Sequence, residues 1–382
     1  MIADNVMDPI RLSRSCVGNE EIAALARVIE AGFLGMGSEV QCFEQEIKAY
    51  LATPYEVICV NTGTAALHLS LEGLDIGAGH EVLVPSITYL ASFQAIAASG
   101  ATPVACDVTP ERVFIDLQDA ERRVTEKTRA IMPVHYASDS TEMSGVYEFA
   151  ERHGIRVIED AAHAFGCKRN AKKIGATGDV LCFSFDGIKN ITSGEGGAVI
   201  TGDLELASRI RDARLLGVEK DTEKRYTGQR SWVFDVNRRG YRYHMSNLMA
   251  AIGREQLKKI GRFSEHRRTA AIRYREFLAG QSGVELLTLS DDDIVPHIFV
   301  IRVTNGRRDT AMQALRDAKI ECGIHYQPNH LLAYFNQGYA LPVSELLMSQ
   351  LLSLPLHAML TDQEQCRVVD VLKSSLEDKS NA

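Results

Sequence analysis

The chain has 382 residues, 45% hydrophobic and 24% charged, with 42 Lys and Arg against 50 Asp and Glu for a net charge of −8. That length suggests two domains of roughly 100–200 residues, and the near-average composition excludes disordered, collagen-like and coiled-coil classes. The acidic balance argues against a nucleic-acid binder or a polybasic membrane-surface protein, while allowing a local basic pocket.

Met1–Arg11 carries Asp4 and Asp8 without an apolar run, so it does not read as a signal peptide. The first β-type run, Val57–Val60, leads into a helix over Ala65–Leu74. Val82–Cys106 has no charged residue and matches a membrane span by length. Pro85, Gly100 and Pro103 instead divide it into strand Glu81–Val84, helix Ala91–Ser99 and strand Pro103–Cys106, the interior of an α/β sheet. Strand Ala130–Val134, helix Met143–Arg152, strand Arg156–Ile158 and strands Val180–Phe185 and Ala198–Thr201 follow. This strand–helix–strand order predicts a mostly parallel sheet covered on both faces.

Helices at Leu204–Leu215, Asn247–Ile260 and Arg267–Ala279 come next. Strand Ile298–Val303, helix Thr310–Lys319, strand Ile320–His325 and helix Leu360–Leu376 complete the chain. The expected division is a large domain over 1–255 and a small one over 256–382. The eight cysteines show no C-x-x-C and no paired Cys/His spacing, so neither a metal site nor a disulfide framework is expected. A reducing, cytoplasmic compartment fits that usage.

Ligands of parallel α/β sheets bind at the carboxyl ends of strands, so the residues after each strand carry the functional signal. After Val60 comes Asn61-Thr62-Gly63-Thr64-Ala65, where Gly63 permits a tight turn and Thr64 is the expected N-cap. A helix starting there aims backbone N–H groups at an anion. Tyr89 follows the second strand as an aromatic platform, and Glu159-Asp160 ends a buried strand. Lys189 follows Val180–Phe185 inside a glycine-rich turn, where an apolar setting can deprotonate an amine. Each feature alone has a plain structural reading. Together they are the parts that hold pyridoxal 5′-phosphate: phosphate cradle, stacking ring, carboxylate for the pyridinium nitrogen, and Schiff-base lysine. No G-x-G-x-x-G follows a strand, which disfavours a nicotinamide dehydrogenase.

From about Gly32 onward the sequence resembles the DegT/DnrJ/StrS family of sugar-nucleotide aminotransferases. NTGTAAL (Asn61–Leu67), VPSITYLA (Val84–Ala91), VIEDAAHAFG (Val157–Gly166) and SFDGIKNITSGEGG (Ser184–Gly197) match its cofactor-binding stretches. HYQPNH (His325–His330) and LSLPLH (Leu352–His357) match its C-terminal signatures. The resemblance implies a type I, aspartate-aminotransferase-like α/β fold with a seven-stranded sheet and a small C-terminal domain. It implies Lys189 as the Schiff-base lysine and Asp160 at the pyridinium nitrogen. It further implies Tyr89 on the ring, Gly63, Thr64, Ala65 and Ser184 at the phosphate, and His163 near the phenolic oxygen. His325 and His330 would lie near the substrate, and the protein would act as a homodimer with shared active sites.

Two departures stand out. The family's Gly-Tyr-Asn-Tyr-Arg-Met-Ser reads Gly240-Tyr241-Arg242-Tyr243-His244-Met245-Ser246 here. Arg242 thus replaces an Asn that, in the family, reaches the partner's cofactor phosphate, and the resemblance implies the same contact for Arg242. Leu215-Leu216-Gly217 stands where Asn-His-Gly is common. The expected reaction is a transamination in which L-glutamate supplies the amine and a nucleotide-linked keto sugar receives it. Lys189 disfavours the dehydratase branch, which carries His there. A cofactor-retaining regulatory protein and a 3-amino sugar-forming enzyme are the alternatives.

Overall fold

The computed structural model describes residues 8–139, 142–289 and 294–377. Its centre is a seven-stranded sheet: β1 (Glu56–Val60), β2 (Glu81–Pro85), β3 (Thr102–Cys106), β4 (Thr128–Ile131), β5 (Arg156–Asp160), β6 (Val180–Ser184) and β7 (Gly197–Thr201). The spatial order is β1-β7-β6-β5-β4-β2-β3. Only β7 runs against its neighbours β1 and β6, and the remaining pairs are parallel. The carboxyl ends of the six co-directional strands therefore share one edge.

Alternating side chains supply both faces of each strand. Ile58 and Val60 pack with Leu67, Leu71, Phe93, Leu206 and Ile210, from helices Gly63–Gly73, Leu90–Ala98 and Leu204–Ala213. Val57 and Cys59 face the opposite layer, with Val40, Phe43 and Ile47 of helix Ser38–Leu51 and with Leu257 and Ile260. All residues of β6 and β7 are buried, as expected for strands covered on both sides. The uncharged run from Val82 to Cys106 is strand, helix and strand within this sheet.

A second, antiparallel sheet comprises β8 (Val284–Leu286), β9 (Phe299–Val303) and β10 (Leu351–Leu354), in that order. Helices Arg308–Asp317 and Asp362–Leu376 cover it. Among the described residues no helix is long and apolar enough to cross a membrane.

Three local readings change. The two helices expected at Asn247–Ile260 and Arg267–Ala279 are one helix of 32 residues, Asn247–Leu278. Between the two expected spans the helix continues through Gly261, and the Ser264 hydroxyl donates to the Ile260 carbonyl at 2.7 Å and is satisfied within the helix. The apolar side chains of that helix change partners along its length. Leu257, Ile260 and Phe263 pack beneath the large sheet, and Ala270, Ala271, Tyr274 and Leu278 pack on the small one.

The strand expected at Ile320–His325 forms only single bridges, Ile320 to Ile10 and Gly323 to Ser353. The N-terminal segment fills the remaining place: Ile10 N–H donates to Lys319 O at 2.9 Å, and Glu321 N–H donates to Ile10 O at 2.8 Å. The third correction is the cap of helix Gly63–Gly73. It is Thr62, not Thr64, because the helix begins two residues earlier and the Thr62 hydroxyl accepts from Ala65 N–H at 3.0 Å.

Candidate active site

A cavity of about 630 Å³ opens at the carboxyl edge of the large sheet, within the size range of small-molecule sites. One end is the start of helix Gly63–Gly73. The Thr62 hydroxyl and carbonyl accept from Ala65 and Ala66 N–H. Among the described residues, the Gly63 and Thr64 N–H groups have no such partner, and both residues line the cavity. They form the positive end of the helix dipole. The turn is pressed against its neighbours: a Cβ on Gly197 would stand 2.4 Å from Thr62 O, and one on Gly63 would stand 2.8 Å from Ser184 Cβ. Glycine at both positions is what lets backbone N–H groups approach an anion here.

Asp160, the last residue of β5, is buried in the middle of the cavity wall. Its Oδ2 accepts from the Ser92 hydroxyl at 2.7 Å and its Oδ1 from Ala162 N–H at 3.2 Å. Burial raises its pKa, and these two bonds together with the charge of Lys189 only partly offset that. Among the described residues the carboxylate has no ion-pair partner, and a ligand N–H⁺ would supply one. Its neighbour Glu159 points the other way into a closed network. Burial would raise its pKa, but His135 at 2.7 Å and Arg169 at 3.1 Å hold it down to about 2.

Lys189 lies across the cavity in the turn after β6, where its own N–H donates to Asp186 O at 3.1 Å. Burial lowers its pKa from 10.5 to about 8, against the pull of Asp160 and Asp186. Asn190 anchors the turn, donating from Nδ2 to Phe165 O at 2.9 Å and Val295 O at 3.1 Å. Part of the lining is aromatic. His163 Nε2 and the Tyr326 hydroxyl share a hydrogen bond at 3.1 Å, and the Tyr326 ring sits 5.7 Å from that of Tyr89. His325 Nδ1 meets Ser353 Oγ at 2.7 Å, and burial followed by the Lys189 charge lowers its pKa to about 4. Burial also holds His163 well below the usual histidine range, so these rings are neutral near pH 7.

Of the residues picked out in the sequence, Gly63, Thr64, Tyr89, Asp160, His163, Ser184, Lys189 and His325 all line this one cavity. Tyr89 is 61% exposed at its mouth rather than packed in a core. Ala65 is buried just behind the cradle. His330 stands apart: it is buried between Ser86 Oγ at 2.7 Å and Glu345 at 3.3 Å, and it fastens the C-terminal segment to the end of β2. Arg242 is exposed and bridged to Leu215, outside the cavity of its own chain. The cavity also holds Thr88, Glu195 and Tyr326, which lie within the matched stretches but were not singled out there, and His297, which lies in none of them.

Residues 15–373 match the model of the DegT/DnrJ/EryC1/StrS aminotransferase family, and the chain belongs to that family. It is accordingly a sugar aminotransferase, a transaminase that uses pyridoxal 5′-phosphate. Three solved structures with similar folds agree. DesV from S. venezuelae, in complex with a ketimine intermediate, is 35% identical, with TM-score 0.85 over 94% of this chain and 95% of its own. The sugar aminotransferase CalS13 from Micromonospora echinospora is 29% identical, with TM-score 0.88 over 96% and 99%. Spr1654 from Streptococcus pneumoniae, in its PLP form, is 28% identical, with TM-score 0.89 over 96% and 98%.

The residues present fit that cofactor on the chain's own geometry. The glycine-dependent cradle, the buried carboxylate without an ion-pair partner among the described residues and the amine with a depressed pKa converge on one cavity. When bound, the cofactor supplies an electron sink for the carbon that gains or loses the amine. The Gly63 and Thr64 N–H groups and Ser184 would hold its phosphate, and Asp160 would keep its ring nitrogen protonated. Lys189, titrating near pH 8, can both bear and release a proton at neutral pH.

Proposed function

We propose that the enzyme moves the amino group of L-glutamate to a nucleotide-linked 4-keto-6-deoxyhexose. The product would be a 4-amino-4,6-dideoxy sugar nucleotide used in polysaccharide, O-antigen or natural-product biosynthesis. The carrying observation is the mixed lining of the cavity. Lys189, Asp160 and the Gly63–Thr64 cradle line it together with His163, His325 and Tyr326, whose uncharged hydrogen-bonding groups suit the hydroxyls of a sugar.

The test is to incubate the enzyme with L-glutamate and a panel of nucleotide-linked keto sugars, and to identify products by mass and NMR. Amination at C4 of a 4-keto-6-deoxy sugar is expected. Amination at C3 would move the assignment to the 3-amino alternative, and no turnover with any sugar would favour a regulatory role.

We further propose that the working form is a cytoplasmic homodimer in which each copy completes the other's site. Two observations support this reading. Lys189 is the sole Lys or Arg among the described residues that line the cavity, where Asp160, Asp186 and Glu195 are acidic. An anionic substrate therefore needs positive charge from elsewhere, and Arg242 of a second copy would supply it. Trp232, Val233, Phe234 and Val236 are 86%, 95%, 57% and 47% exposed, an apolar patch of the kind that marks an interface. Trp232 is the chain's single tryptophan, so its emission reports directly on that patch. A solution mass of two chains with blue-shifted emission is expected. A single-chain mass with the emission of a water-exposed indole would refute the dimer.

A further inference from the structure

His297 precedes β9 and is 3% exposed. Its Nε2 lies 3.4 Å from Lys189 Nζ, although 108 positions separate the two in sequence. Its ring centroid is 4.4 Å from that of His163. Both backbone polar groups of His297 are held. Its N–H donates to Ser138 Oγ at 3.0 Å, and its carbonyl accepts from Arg267 Nη1 at 3.2 Å.

The two holders are unusual. Ser138 adopts φ +75, where a residue with a side chain is strained, yet its hydroxyl also reaches the carbonyls of His163 at 2.6 Å and Val295 at 2.9 Å. Arg267 is 3% exposed and has no carboxylate partner among the described residues. Its Nη1 instead serves the carbonyls of Pro296, His297 and Leu356 at 3.4, 3.2 and 3.2 Å. A strained serine and a buried arginine thus converge on the segment that carries His297.

We propose that His297 is a catalytic residue of the amino transfer: its Nε2 accepts a hydrogen bond from the free Lys189 ammonium and holds that amine in one orientation, while Ser138 and Arg267 position the imidazole. The proton count is simple. Lys189 takes one proton to become an ammonium and directs one N–H at Nε2. His297 keeps its own proton on Nδ1, which has no partner among the described residues. Burial, reinforced by Lys189, His163, Arg267 and His325, keeps His297 far below its usual pKa and therefore an acceptor. Around Lys189, burial and Arg267 disfavour the ammonium, and Asp160 and Asp186 favour it. The 3.4 Å contact is long for a neutral pair and shortens when the donor is charged. This inference rests on Lys189 as the acting amine and is independent of which sugar is aminated.

The test reads Lys189 directly. In the full-length chain freed of cofactor, the pH dependence of Lys189 acetylation by acetic anhydride is followed by peptide mass spectrometry from about pH 6 to 10. Wild type is expected to have its midpoint near about 8. His297→Phe removes the acceptor, so the midpoint moves down, and kcat of the loaded enzyme falls about 10²-fold with KM less affected. His297→Gln retains an acceptor and stays near wild type in both. If His297→Phe does not fold, Ser138→Ala leaves the imidazole present but unheld and is expected to shift the midpoint in the same direction. A midpoint unchanged from wild type in the folded variant overturns the proposal. Activity retained in a Lys189 variant would overturn the underlying reading instead, and is distinguished by that variant alone.

Discussion

Lys189→Met is expected to reduce amino transfer by about 10⁴-fold or more, because among the described residues no other amine lines the cavity to move the proton. The visible absorbance band of the loaded enzyme, which shifts when glutamate is added to wild type, is lost as well. The same substitution stabilises the cofactor-free protein near neutral pH. The folded-state pKa of Lys189 is depressed from 10.5 to about 8, so the folded chain binds fewer protons than the unfolded chain between those values. The resulting penalty is full below about pH 8 and fades as the pH rises towards 10.5. Methionine, of similar length and uncharged, removes it. A gain on the order of 1–3 kcal/mol at pH 7 is expected, shrinking at alkaline pH. Denaturation of both proteins at pH 7 and pH 10 checks the sign, and equal stability at pH 7 refutes the buried-amine argument.

Asp160→Asn is the second large effect. The neutral amide cannot hold a protonated ring nitrogen by charge, and turnover is expected to fall by about 10²–10⁴-fold. Folding should not suffer. Burial already disfavours the Asp160 carboxylate. An Asn at 160 can accept from Ala162 N–H and donate to the Ser92 hydroxyl, which then turns to Thr88 Oγ1, 3.0 Å away. The expected pattern is a cofactor-free protein at least as stable as wild type, with weak cofactor binding and little turnover. Loss of stability with normal turnover would mean that Asp160 serves the fold and not the chemistry. The group proposed to hold the ring nitrogen is here one whose charged form the bare fold disfavours.

The large sheet was legible because its strands are short apolar runs ended by glycine, proline or a lone polar group. Asp160 stood out as the polar residue that ends such a run, and Lys189 as the amine in the glycine-rich turn that follows one. Tyr89 was legible only through its place after β2, since its exposure depends on where the chain returns from the second sheet. Helices Asn19–Glu30 and Ser38–Leu51 and the strand Leu351–Leu354 went unassigned. The last is an apolar run of four residues between a helix and a turn, and its role comes from pairing with Phe299–Val303. His297 could not be found locally, because what makes it a site residue is Lys189 far away in sequence. His330 is the converse case: it lies in a recognisable stretch, but its contact to Ser86 Oγ, away from the cavity lining, could not be read from that stretch.

The helix Asn247–Leu278 carries an unbroken backbone ladder from the core under the large sheet to the core of the small one. The two sides of the cavity are also pinned across the gap, by Ser138 to Val295 and His297, by Asn190 to Val295, and by the Tyr136 hydroxyl to the His325 carbonyl. A rod and three rivets leave little room for hinge closure. The ordering entropy of the cavity wall is lost during folding and not again at each encounter, so ligands meet a finished receptor. Solution scattering should accordingly give the same radius of gyration with and without substrate. Discrimination between sugars then resides in the shape of a fixed wall, not in the energetics of a closing lid.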